Sequence, residues 1–144
     1  MWSKTRQVLE SKLAEDLKGR VRYQYDVYRT QTCKDKPGWN TEMHVLSIIV
    51  DGKPWFCTNP NNWKGDLAVI RDNGIVGGWG SEMKHIHQFL NVLSIDEAIS
   101  HENYFIRLLA VLDARLGKRR IKALADNIEN EPEWFRKWIR LRTG

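Results

Sequence analysis

Residues 100–116 are the most apolar long segment of the chain, and its densest cluster of cations follows directly behind a single glycine. At 100° per residue, Phe105, Leu108, Leu109, Leu112 and Leu116 recur at i, i+3, i+4, i+7 and i+11, with Tyr104 and Val111 widening the stripe. The spacing predicts a helix over 100–116 that buries one broad side. Ser100 is the expected N-cap, and Gly117 the residue that takes the left-handed conformation and stops the helix. Such a rod needs a partner layer, so it limits the rest of the chain to elements that can cover it.

Two charges interrupt the stripe. Arg115 projects inside the apolar arc, between the directions of Tyr104 and Leu108, with Asp113 on its flank. A buried guanidinium requires an acceptor, and Asp113, Glu97, Glu102 or a helix-end carbonyl are the candidates. Arg115 therefore either braces the turn into the next helix or anchors an anionic ligand. Behind Gly117, Lys118, Arg119 and Arg120 open a second amphipathic helix marked by Ile121, Leu124, Ala125 and Ile128. Cations are disfavoured at the positive end of a helix dipole, while free N–H groups there attract anions. The cluster is either a solvated corner or a binding corner.

Upstream, Leu9, Leu13 and Leu17 with Trp2 and Val8 predict a first helix over 3–18, closed by Gly19. From Val21 the period changes from 3.6 to 2: Val21, Tyr23, Tyr25 and Val27 face one way and Arg22, Gln24, Asp26 and Tyr28 the other. A loop over 31–40, holding Pro37 and Gly38, leads to a second strand over 42–50. The Asp51-Gly52 pair is a hairpin signal because both positions of its tight turn need positive φ, and it predicts a third strand over 53–58. Residues 63–73 read as a helix with a stop at Asn73 and Gly74, and Gly77, Gly78 and Gly80 as a connector. Ser81 is the expected cap of a helix carrying Met83, Ile86, Phe89, Leu90 and Leu93. Ser94 with Glu97 forms a capping box for a short helical turn ending at Ile99. Pro132 suits the first position of a last helix, whose Trp134, Trp138 and Leu141 share a face.

The fold class expected is α+β: an N-terminal helix on a three-stranded antiparallel meander, then a cluster of short antiparallel helices. One domain over 1–144, with the meander part ending at 58 and the helical part starting at 62, suits a chain of 144 residues that is 42% hydrophobic.

The opening MWSKTRQVLESKLAEDLKGRVRY and the segment SIDEAISHENYFIRLLAVLDARLGKRRI resemble a family of small uncharacterised bacterial cytoplasmic proteins with an MWSK-type N-terminus and a DxRxGKRR signature. The resemblance implies a fold pattern and a cytoplasmic location. It implies no activity, cofactor or site.

The net charge of +5 is uneven, since Arg115 onward holds nine Lys or Arg against four Asp or Glu and the preceding residues balance. Localised charge of this kind attracts acidic proteins or polyanions. The two cysteines, Cys33 and Cys57, match no paired metal motif, which fits a reducing compartment. No stretch approaches the apolar length of a membrane span. His85 and His87 are two apart and diverge on a helix, so they do not chelate one metal. No Walker-type loop, nucleophile signature or diagnostic carboxylate pair is present, and nothing calls for a cofactor. Trp2, Trp134 and Trp138 are expected in the core, while Trp39, Trp55, Trp63 and Trp79 fall in or near loops.

The expected function is that of a non-catalytic cytoplasmic protein contacting an acidic protein partner through Arg115, Lys118, Arg119, Arg120 and Lys122. The alternative is nucleic-acid binding through the same residues with Arg136 and Arg140. A third possibility is a small enzyme with a cleft around Asp113, Arg115 and His101.

Overall fold

The computed structural model describes residues 2–31, 40–58 and 81–144. The expected loop around Pro37 and Gly38, the helix over 63–73 and the glycine connector, with Cys33, Trp39, Trp63 and Trp79, lie outside the described residues. Within them the chain is α+β, as its periodicities indicate: α1 (Trp2–Ser11), a 3₁₀ turn (Glu15–Leu17), β1 (Val21–Gln31), β2 (Asn40–Val50), β3 (Lys53–Cys57), then α2 (Ser81–Asn91), α3 (Ile95–Ile99), α4 (Tyr104–Leu112), α5 (Lys118–Asp126), a second 3₁₀ turn (Ile128–Asn130) and α6 (Glu133–Thr143). No helix among the described residues is long and apolar enough to cross a membrane.

The sheet has the order β1-β2-β3 and is antiparallel throughout, with β1 and β2 in register from Val21↔Val50 to Gln31↔Asn40. The β2–β3 turn adopts the backbone its sequence requires: Asp51 has φ 51° and Gly52 φ 82°. Arg20 holds that turn from outside, donating Nε to Asp51 Oδ1 (3.0 Å) and Nη2 to Oδ2 (2.9 Å). Between Ile48↔Phe56 and Ile49↔Pro54 the register shifts by a bulge at Trp55. Trp55 packs edge-on against Trp138 at 5.3 Å, and Lys137 Nζ sits 3.9 Å from its ring centroid.

One core joins sheet and helices. Val21, Tyr23, Leu46, Ile48, Val50 and Phe56 meet Leu9 of α1, Phe89 of α2, and Trp134, Phe135, Trp138 and Ile139 of α6, with α4 in the middle. Phe105, Ile106, Leu108, Leu109, Ala110, Val111 and Leu112 of α4 are all buried, so this helix hides nearly its whole circumference rather than one side. Its only charged residue, Arg107, is satisfied by Glu131 through two bonds of 2.8 and 2.6 Å and by the Ile99 carbonyl at 2.8 Å.

Both long helices expected from periodicity are shorter, and for one shared reason. α1 ends at Ser11 instead of running to residue 18, and α4 runs from 104 to 112 instead of from 100 to 116. The two interrupted stretches pair with each other. Leu13 and Asp113 form an antiparallel bridge, flanked by Ala14 N–H donating to Leu112 O (3.0 Å) and Ala114 N–H to Lys12 O (2.7 Å). Asn103, not Ser100, caps α4, its Oδ1 accepting from the amides of Phe105 and Ile106. Ser100 instead donates its hydroxyl to Asp96 O at the end of α3. Gly117 has φ −73° and ψ 171° and serves as the N-cap of α5, not as a left-handed stop for α4. Pro132 likewise stands one residue earlier than expected, as the N-cap of α6. The Ser94–Glu97 capping box is present in both directions, at 3.1 and 3.0 Å.

Candidate functional site

The early end of α4 leaves carbonyl oxygens without intrahelical donors. Arg142, near the end of α6, supplies them: Nη1 donates to Val111 O (2.5 Å) and Asp113 O (3.1 Å), and Nη2 to Leu116 O (2.7 Å). Burial pushes the Arg142 pKa down, while Asp16 and Asp113 push it back up. The Asp113 carboxylate is almost completely buried, and Arg115 covers it through Nε to Oδ1 and Nη2 to Oδ2, both 3.1 Å, with the Arg115 backbone N–H donating to Oδ1 at 2.8 Å. The guanidinium of Arg115 also lies over Phe89, 5.5 Å from the ring centroid. Burial, and then the charges of Asp113 and Glu10, raise the pKa of Tyr23, so this phenol stays protonated at any physiological pH.

A cleft of about 640 Å³ opens beside this joint. Lys118, Ile121 and Lys122 of α5 line it together because they stand at i, i+3 and i+4. Glu15 and Asp16 line it from the first 3₁₀ turn, and Arg142 lines it from α6. Ile121 is the buried anchor that fixes the α5 face, leaving the two lysines exposed on either side of it. Glu15 pairs with Lys18 at 3.2 Å. The cleft is thus bipolar, with Lys118 and Lys122 of α5 and Arg142 of α6 as its cations and carboxylates on the turn.

The five basic residues expected to form one surface separate here. Lys118 and Lys122 line the cleft, and neither makes an ion pair with another described residue. Arg119 is exposed but does not line it. Arg115 is occupied by Asp113, and Arg120 forms an ion pair with Asp96. Arg136 is held by the carbonyls of Glu131 (2.9 Å) and Glu129 (3.1 Å). His101 does not join Asp113 and Arg115: its Nδ1 accepts from Asn103 N–H (2.9 Å) at the opposite end of α4, about 13 Å away at 1.5 Å per residue. His85 turns toward Asn103 and His87 toward Asn91. Among the described residues, no three His, Cys, Asp or Glu side chains are placed to hold a metal.

Sequence reasoning missed Arg142 and Asp16. Nothing in their own surroundings marks them, because their place follows from the break in α4 that periodicity conceals.

The model of the SF0329 protein family matches residues 1–75 and 80–143, a span that includes the joint and every cleft residue named above. No curated protein and no solved structure matches the chain.

Proposed function

The chain belongs to the SF0329 protein family, and we propose that it is a non-catalytic binding protein whose cleft beside α5 receives an acidic segment of a protein partner. The observation that carries this reading is the pair Lys118 and Lys122, two cations on one cleft wall that no described residue neutralises. Most other cations of the C-terminal segment are committed internally: Arg115 and Arg120 to carboxylates, Arg136 and Arg142 to carbonyls, and Lys137 to the Trp55 ring. Few remain for a row of phosphates, and Glu15 and Asp16 would repel a polyanion passing through the cleft. A protein segment places carboxylates only where they are wanted, so it suits a bipolar cleft better than nucleic acid does. The separation of His101 from Asp113 and Arg115 supports a binding role over a catalytic one. A bacterial, cytoplasmic setting belongs to the same reading and rests on the MWSK and DxRxGKRR resemblance and on the cysteine pattern.

The test is fluorescence anisotropy with a labelled polyglutamate peptide and a single-stranded oligonucleotide of equal charge. The expected result is salt-sensitive peptide binding that weakens about fivefold or more in Lys118→Ala/Lys122→Ala, as two partly desolvated ion pairs allow. Unchanged peptide binding in that variant, or tighter binding of the oligonucleotide, overturns the proposal.

A further inference from the structure

Asn103, the N-cap of α4, binds two histidines and uses a donor for each. Its Oδ1 accepts from the amides of Phe105 (2.9 Å) and Ile106 (3.3 Å), which fixes the carboxamide and aims Nδ2 at His85 Nε2, 3.4 Å away on α2. Its backbone N–H donates to His101 Nδ1 at 2.9 Å. Both rings therefore serve as acceptors, which only a neutral imidazole can do. The carboxamide cannot turn over to meet a protonated His85, because Nδ2 would then face the amides of Phe105 and Ile106 and α4 would lose its cap. Burial, then the charges of His101 and Lys84, also oppose a positive His85. Carboxylates on the packed elements offer little relief: Asp96 pairs with Arg120, Glu97 is held by Ser94, and Glu102 is exposed beside His101. The one charged residue of α4, Arg107, is bound to Glu131.

We infer that Asn103 joins His85 and His101 into an acid-operated latch between α2 and α4, closed while both rings are neutral and opened when the pair takes up protons. Accommodating either proton displaces Asn103, and a displaced Asn103 no longer opposes the other, so the two are taken up together. His85 packs edge-on against Phe105, 6.3 Å between ring centroids, so the same movement loosens α2 from the first turn of α4. Ile86 and Phe89 anchor the rest of α2 in the core, which keeps the opening local. The latch stands apart from the cleft, which lies past the other end of α4 beside Ala114 and Gly117.

Amide exchange followed by NMR on the full chain at pH 7.5 and pH 5.5, corrected for the intrinsic rate, tests the latch. A free imidazole with a pKa of about 6.5 is about nine-tenths protonated at pH 5.5, so each ring held neutral lowers local protection there by up to about tenfold. The amides of Asn103, Phe105 and Ile106 are expected to lose about tenfold or more of their protection, while those of residues 109–112 keep theirs. His85→Gln and His101→Asn retain an acceptor without the titration, the asparagine because its carboxamide can accept from the amide two residues on. The double variant is expected to show no acid-induced loss. Asn103→Asp keeps one capping oxygen and offers the other to His85 as an acceptor. In that variant the His85 ring resonances are expected to titrate at higher pH than in the unaltered chain, and the acid-induced loss to shrink. Equal loss at residues 109–112, loss that persists in the double variant, or a His85 titration unmoved by Asn103→Asp overturns the inference. Circular dichroism at pH 7.5 verifies that each variant is folded, and if the double variant is not, Asn103→Asp decides alone.

Discussion

Asn103 and His85 show how one side chain sets the chemistry of another. The Asn103 Oδ1 is engaged by the amides of Phe105 and Ile106, so its Nδ2 faces His85 Nε2 at 3.4 Å as a donor. His85 must accept there and keep its proton on Nδ1, which is buried without an acceptor. A second proton would put two donors face to face. Burial first, then the charges of His101 and Lys84, hold the His85 pKa below its ordinary 6.5. The folded state therefore favours neutral His85. Its contribution is whole above pH 6.5 and is lost as pH falls from there toward the depressed folded value. The melting temperature is expected to drop between pH 7.5 and pH 5, and His85→Gln to flatten part of that drop. Parallel pH profiles for the two proteins would assign the loss to another group.

At the scale of elements, the joint between the ends of α1 and α4 decides both the fold and the cleft. Ala14 has φ −53°, a value proline adopts without strain, but it is buried and its N–H belongs to the bridge. Ala14→Pro therefore deletes the N–H bond to Leu112 O and sets its ring against that carbonyl. The expected net cost is about 2 kcal/mol or more in urea unfolding, because proline at a buried, hydrogen-bonded position leaves the Leu112 carbonyl without its donor. A stabilised variant would mean the bridge contributes nothing. The joint also explains which parts of the structure were legible in advance. The sheet was readable because a period of two and an Asp-Gly turn are local properties of Val21 to Phe56. The helix ends were not, because the spacing of Leu9, Leu13 and Leu17 persists across the break, and all three are buried although only the first lies in α1, Leu13 being in the bridge and Leu17 in the 3₁₀ turn. Leu116 is likewise buried beyond the end of α4. Apolar spacing reports which side chains are inside, not the backbone path between them. Of the candidate site, Lys118 and Lys122 were legible as charge beside an amphipathic stripe. The neutralisation of Arg115 and Arg120, and the arrival of Arg142 and Asp16, depend on contacts between distant segments.

Across the whole molecule, stability and exposed charge are segregated. α4 is enclosed by sheet and helices, whereas α5 buries only Ile121. In native-state hydrogen exchange, the amides of residues 108–112 are expected to open last, near the global unfolding limit, and those of 121–126 well before them. Simultaneous exchange of both sets would show that the helix bearing the lysines is not a separable unit. The net charge of +5 overstates the outward field of the C-terminal segment, since several of its cations are turned inward to bind carbonyls and carboxylates. What remains outside is Lys118, Arg119 and Lys122 on one short, thinly anchored helix, and Arg140 on α6.

The bridge from Leu13 to Asp113, closed by Arg142, unites positions from the start, the late middle and near the end of the numbering. A growing polypeptide can pair its strands once residue 57 has emerged, but it cannot finish this joint until residue 142 has been synthesised. Loop closure over such separations is slow. The N-terminal segment must therefore wait for a late arginine before its joint with the middle of the chain can close.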